Sequence, residues 1–300
     1  MRILSSFVFC VLTLFGVSAP IYSQLPMSSK TVSEKFVVYQ MMFHLWGNKQ
    51  TELVRNGSYT QNGVTKFKDV SNIALKALKN KGITHVYATG LIEHATMENF
   101  GEYGSPIDHP SVVKGRAGSP FAIKDYCDVN PFLADDPAKR MDEFKSMLKR
   151  FHANGLKLII DFVPNHLARQ YYSDQKPKGV IDFGVDDNKH VAFDVNNNFY
   201  YLPGTQFTVP EGVHPPVPVN IPYIEIPAKV SGNNVFSPQP SIHDWFETVK
   251  LNYGIDYQHG NQTHFDPIPN TWVKMHEVLS YWTALGVDGF RCDMAEMVPV

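Results

Sequence analysis

The feature that most constrains this chain is a recurring order of helix, glycine and strand. In the clearest case Asp136 stands where an N-cap belongs and Pro137 takes the first helical position. Met141, Phe144, Leu148 and Phe151 then fall on one face, Asn154-Gly155 closes the helix, and the apolar run from Leu156 to Val163 predicts a strand. The same order returns as a helix from Asp69 to Lys81, Gly82 and a strand from Ile83 to Tyr87. It returns again as a helix from Thr271 to Leu285, with Trp272, Met275, Leu279 and Trp282 on one face, then Gly286 and a strand from Val287 to Arg291. Phe36 to Phe43 adds a strand at the start. Runs such as Leu158-Ile159-Ile160 are apolar on both faces, as parallel strands covered by helices require. The expected fold is α/β, the first half of a (β/α)8 barrel of the TIM type, whose functional residues would sit at the C-terminal ends of its strands.

The grammar breaks between His166 and about Asn270, in a stretch rich in Pro, Asn and Gly that includes Pro210, Pro215, Pro216, Pro218, Pro222 and Pro227. About a hundred residues far exceed an ordinary connection of roughly two to six. A disordered linker would lack the aromatics found here, Phe199-Tyr200-Tyr201, Phe207, Trp245-Phe246 and Tyr253. The expected organisation is therefore three barrel strands with their helices over residues 24–166 and an irregular inserted domain over 167–270. The third helix and fourth strand follow over 271–300.

A formal net charge of -2 and a pI near 6.6 provide no basic field for nucleic acid or anionic lipid, so an uncharged small molecule or polymer is the better partner. Residues 1–23 begin Met1-Arg2, continue as an apolar run from Ile3 to Val17 and end in small residues near Ser23. This is the pattern of a cleaved secretory signal peptide, and the run is short against the roughly 20 residues of a spanning helix. The expected location is secreted or periplasmic, with no stable membrane anchor. After cleavage Cys127 and Cys292 would remain, too few for a disulfide framework.

Two polar constellations close apolar strands: Asp161-Phe162-Val163-Pro164-Asn165-His166, and Gly289-Phe290-Arg291-Cys292-Asp293-Met294-Ala295-Glu296. Alternation along a strand sends Arg291 and Asp293 to one side and Cys292 to the other. A charged pair at the end of a buried strand costs desolvation, so catalysis is a better reason for it than structure, with a structural ion pair as the alternative.

The two runs resemble the third- and fourth-strand signatures of the α-amylase family, glycoside hydrolase family 13. Gly118 to Tyr126 and Gln239-Pro240-Ser241-Ile242-His243 resemble two further segments of it, and the likeness extends from Phe36 to Val300. The resemblance implies retaining hydrolysis of α-glucosidic bonds in starch-like glucans or maltooligosaccharides. It casts Asp293 as nucleophile, Arg291 as the group that orients it, and His166 as a sugar ligand. Asp161 would support the arginine, Phe121 would stack on a sugar where the family usually has tyrosine, and Asn165 would bind a structural calcium ion. Ser241 stands where the related motif carries aspartate, which weakens the calcium expectation. A retaining enzyme also needs a general acid. The resemblance puts that glutamate on the next strand, past Val300, and Glu296 lies too close to the nucleophile to replace it. The chain by itself is accordingly expected to be an inactive, poorly soluble fragment. A transglycosylase using the same intermediate, or a non-catalytic glycan-binding relative, are the competing readings.

Overall fold

The computed structural model describes residues 35–299, so the signal-peptide reading of residues 1–23 lies outside it. Four parallel strands form the central sheet in sequence order: β1 (Val38–Met42), β2 (His85–Thr89), β3 (Lys157–Phe162) and β4 (Gly289–Cys292). Val38 pairs with His85, His85 with Lys157, and Ile159 with Gly289. Helices α1 (Asn72–Asn80), α2 (Arg140–Ala153) and α3 (Asn270–Leu285) occupy the intervals between consecutive strands. The predicted alternation is present, with shifted boundaries that have local causes.

Asp69, the expected start of the first helix, instead turns back to accept a hydrogen bond from the Lys66 N–H at 2.8 Å. The helix therefore begins three residues later, where the Ser71 hydroxyl accepts from the Ala74 N–H at 3.3 Å. β2 begins at His85 rather than Ile83, and the Thr84 hydroxyl before it accepts from the Val37 N–H at 2.9 Å.

The core lies between the helices and one face of the sheet. From α2, Phe144, Leu148 and Phe151 are buried and Met147 joins them, while Met141 sits at the margin. Trp282 of α3 meets Phe144 edge-on at 5.5 Å, and its indole N–H donates to the Tyr126 carbonyl at 2.7 Å. Full burial of each such side chain contributes about 1.5–3 kcal/mol. Leu158 and Ile160 of β3 are sealed, whereas Ile159 on the opposite face is only partly covered. The sequence expectation of equal cover on both faces thus holds for one face only.

After β2 the chain makes an excursion that hydrophobic periodicity did not indicate: Ile92–His94 pairs antiparallel with Ile123–Val129. Beyond β3, His166–Ala168 pairs antiparallel with Thr248–Lys250. Between these partners the chain is mostly irregular, with a two-residue pairing of Tyr201–Leu202 against Ala228–Lys229. It still has a packed interior, since Phe199, Tyr200, Tyr201, Phe207, Phe246 and Tyr253 are all buried. The Arg169 guanidinium lies 3.9 Å over the Phe207 ring and bonds Glu225 at 2.7 Å. Both cysteines of the described residues are free, Cys127 buried and Cys292 exposed. Among the described residues no helix is long and apolar enough to cross a membrane.

Candidate active site

Parallel strands in register bring their C-terminal ends together, and the register sets Arg291 beside Asp161. An Arg291 Nη1 N–H donates to Asp293 Oδ1, and the same nitrogen stands 3.7 Å from Asp161 Oδ1. Asp161 also accepts from the Tyr87 hydroxyl at 2.5 Å and, through its other oxygen, from the Gly90 N–H at 3.3 Å. Both carboxylates are buried, whereas the Arg291 side chain is 41% exposed, because β4 is an outer strand of the sheet. The Asp293 N–H donates to the Phe162 carbonyl at 2.8 Å, extending the β3–β4 pairing past the end of β4 and fixing the backbone beneath the carboxylate. Met294 then takes a left-handed conformation at φ 49°, ψ 42°. For a residue with a side chain this costs of order 1–2 kcal/mol, a strain that clusters at functional sites.

Phe121 reaches this group from the segment before Ile123–Val129, its ring 5.6 Å from the Arg291 guanidinium carbon. His166 is buried with its ring 5.3 Å from that of Trp245. Burial, reinforced by the Lys250 and Lys114 charges and opposed by the Phe121 carbonyl, pushes the imidazole down to about 3, so it is neutral at pH 7. Burial pushes the Asp161 carboxyl up to about 6, outweighing the hydrogen bonds from Tyr87 and Gly90 and the Arg291 charge, while Asp293 adds to the rise.

Phe121, His166, Trp245, Glu247, Asp293 and Met294 line one cavity of about 300 Å³. The structure therefore brings Asp293, Arg291, Asp161, His166 and Phe121 into one neighbourhood, and adds residues the sequence reading did not assign there. Tyr87 could have been suspected as a polar-tipped ring near the end of β2. Trp245 and Glu247 follow closely on the Gln239–His243 motif. Glu247 pairs with Lys114 at 2.9 Å through one oxygen and has no hydrogen-bond partner on the other among the described residues. That oxygen is buried.

Asn165 follows β3, as expected, and its polar atoms are already engaged. It is fully buried, but its side-chain oxygen accepts from the Lys250 ammonium and its amide nitrogen donates to the Gly232 carbonyl at 2.8 Å. Ser241 is exposed, and its hydroxyl accepts from the His243 N–H at 3.3 Å. A calcium ion needs free oxygen ligands, preferably charged, at about 2.3–2.6 Å. An amide oxygen already bound to an ammonium does not offer that, so these residues do not fit the ion at Asn165.

A parallel sheet interleaved with helices, with a carboxylate-bearing cavity at the C-terminal ends of its strands, is the layout of β/α-barrel enzymes. The sequence model for the alpha-amylase catalytic domain matches residues 74–299, and the chain belongs to that family. The cyclomaltodextrin glucanotransferase of Geobacillus stearothermophilus is 22% identical over 273 residues, covering 88% of this chain and 31% of the relative. A Homo sapiens amino acid transporter heavy chain is 21% identical over 189 residues, 59% of this chain and 21% of its own length. Among solved structures, an alpha-amylase from Lactobacillus plantarum aligns at a TM-score of 0.48 with 20% identity, covering 88% of this chain and 39% of that one. The chain spans a third or less of the length of the curated relatives named for glucan transfer.

Proposed function

We propose that this chain carries the nucleophilic half of a retaining α-glucosidase-type site acting on starch-like glucans or maltooligosaccharides. The observation that carries the reading is the Asp293 carboxylate, hydrogen-bonded to Arg291 and opening into the same cavity as neutral His166 and the Phe121 ring. In this reading a carboxylate oxygen of Asp293 attacks the anomeric carbon, the glycosidic C–O bond breaks, and the departing oxygen takes a proton from a general acid. Arg291 hydrogen-bonds Asp293 and aims it, His166 contacts a sugar oxygen, and Phe121 packs against a sugar face. Glu247 lines the same cavity, paired with Lys114. We assign the acid to a strand following β4.

The same reading takes the four strands as the opening half of a (β/α)8 barrel with residues 167–270 inserted after the third strand, and residues 1–23 as a leader that directs secretion. Support for the barrel comes from the family and from the sheet order. Transfer of the glucosyl group to a second sugar instead of water uses the same intermediate, and the resemblance to cyclomaltodextrin glucanotransferases favours keeping it as the second reading.

The test uses an active protein that contains this chain. A fluorinated glucosyl fluoride that slows breakdown of the intermediate should label the Asp293 peptide, seen by mass spectrometry. Asp293→Asn should lose both labelling and turnover, by about a thousandfold or more in rate. Labelling of another carboxylate, or undiminished turnover in the variant, would exclude Asp293 as nucleophile. Adding an acceptor sugar and analysing products separates transfer from hydrolysis.

A further inference from the structure

Lys250 ends the short strand paired with His166–Ala168, and only 2% of it is exposed. Its ammonium donates to the Asn165 side-chain oxygen and to the Met297 main-chain carbonyl at 2.8 Å, and stands 5.9 Å from the Tyr257 ring centre. Among the described residues no carboxylate lies within 4.0 Å of it. A buried lysine normally finds a carboxylate, because an uncompensated charge in the interior is costly. Burial pushes this one down to about 7, and below that pH two neutral carbonyl oxygens and a ring face hold it as a cation. Neutral carbonyl oxygens drawn from separate segments are a common way of holding a bound metal ion.

The segments matter as much as the atoms. Asn165 follows β3, Met297 closes the turn after β4, and Lys250 comes from the chain that returns between them. One side chain thus ties together the two strand ends that carry the candidate site. We propose that Lys250 is a built-in cation, which crosslinks the ends of β3 and β4 where the family resemblance would place a calcium ion. An ion coordinated by the Asn165 oxygen would lie against the ammonium already bonded to it, and the two positive charges would repel in a desolvated setting. The exposed Ser241 supplies no carboxylate to offset that repulsion.

This inference concerns cohesion and ion dependence, and it stands or falls apart from the catalytic reading. Its test is thermal unfolding of the protein after exhaustive EDTA treatment and again with added CaCl2, for the parent and for Lys250→Met. The parent midpoint should be the same in both conditions. Lys250→Met, which keeps the bulk and strands two buried acceptors, should unfold roughly 5 °C lower. A parent midpoint that drops under EDTA and recovers with CaCl2 would overturn the proposal, and so would a Lys250→Met midpoint equal to the parent's. Should the variant not fold at all, the chelation result on the parent still decides.

Discussion

At the scale of single residues, Arg291 lies between two carboxylates and treats them unequally: it bonds Asp293 directly and stays 3.7 Å from Asp161. Asp161 is buried, with its carboxyl raised to about 6, against about 3.9 in an unfolded chain. Between those values the folded chain holds a proton that the unfolded chain has released. Asp161 therefore costs stability progressively as pH rises from about 4 to 6, and the full cost of about 2–3 kcal/mol persists above that window. Asp161→Asn removes the titration, so on going from pH 4 to pH 7 the variant should lose less stability than the parent by about that amount. Urea unfolding at the two pH values measures the difference; parallel pH profiles would contradict the burial argument. The closeness of Arg291 and Asp293 was legible because strand alternation fixes it within three residues. Tyr87 and Lys250 were not, because their partners lie 74 and 85 residues away and depend on register.

At the scale of elements, two glycines with left-handed backbones make different predictions. Gly286 ends α3 at φ 100°, and an added Cβ would meet only Leu148 at 3.6 Å and His152 at 3.8 Å, ordinary contacts. Gly286→Ala should therefore cost only the conformational penalty, about 1–2 kcal/mol. Gly118 has φ 70°, and a Cβ there would lie 1.8 Å from the Ala95 carbonyl oxygen. Gly118→Ala must displace the segment that carries Phe121, so its loss of stability should exceed that of Gly286→Ala, as chemical denaturation of the two variants would show. Gly286 was visible in the sequence as a helix stop and Gly118 only as the start of a resembling segment; the structure distinguishes an open site from a blocked one. The helices and sheet strands were legible to within a few residues because their burial follows a period. The excursion through Ile123–Val129 was not, because Lys124, Asp125 and Asp128 make a fully buried strand read as polar. They are tolerated there because Lys124 pairs with Asp108 at 2.9 Å, Asp128 pairs with Arg140 at 2.5 Å, and Asp125 accepts from the Cys127 and Asp174 N–H groups at 2.7 and 3.0 Å.

At the scale of the whole molecule, β1 and β4 form the margins of the sheet. Val38 and Met42 of β1 are 43% and 40% exposed, and Phe290 of β4 is only partly covered. Strand edges flanked by apolar side chains favour pairing with another chain. This 300-residue chain on its own should associate in a concentration-dependent way, read by sedimentation velocity. A single monomeric boundary across the accessible concentration range would count against it. The lysine at the junction of β3 and β4 has an effect beyond holding strands. An ammonium can only donate, so Lys250 compels the Asn165 amide to turn its oxygen toward it and its NH2 toward His166, whose Nδ1 is 3.0 Å away. Nδ1 must then accept, and a neutral imidazole carries its single proton on Nε2. The tautomer of His166 is thus selected by a residue that never enters the cavity. Any hydroxyl that meets Nε2 must do so through an oxygen lone pair.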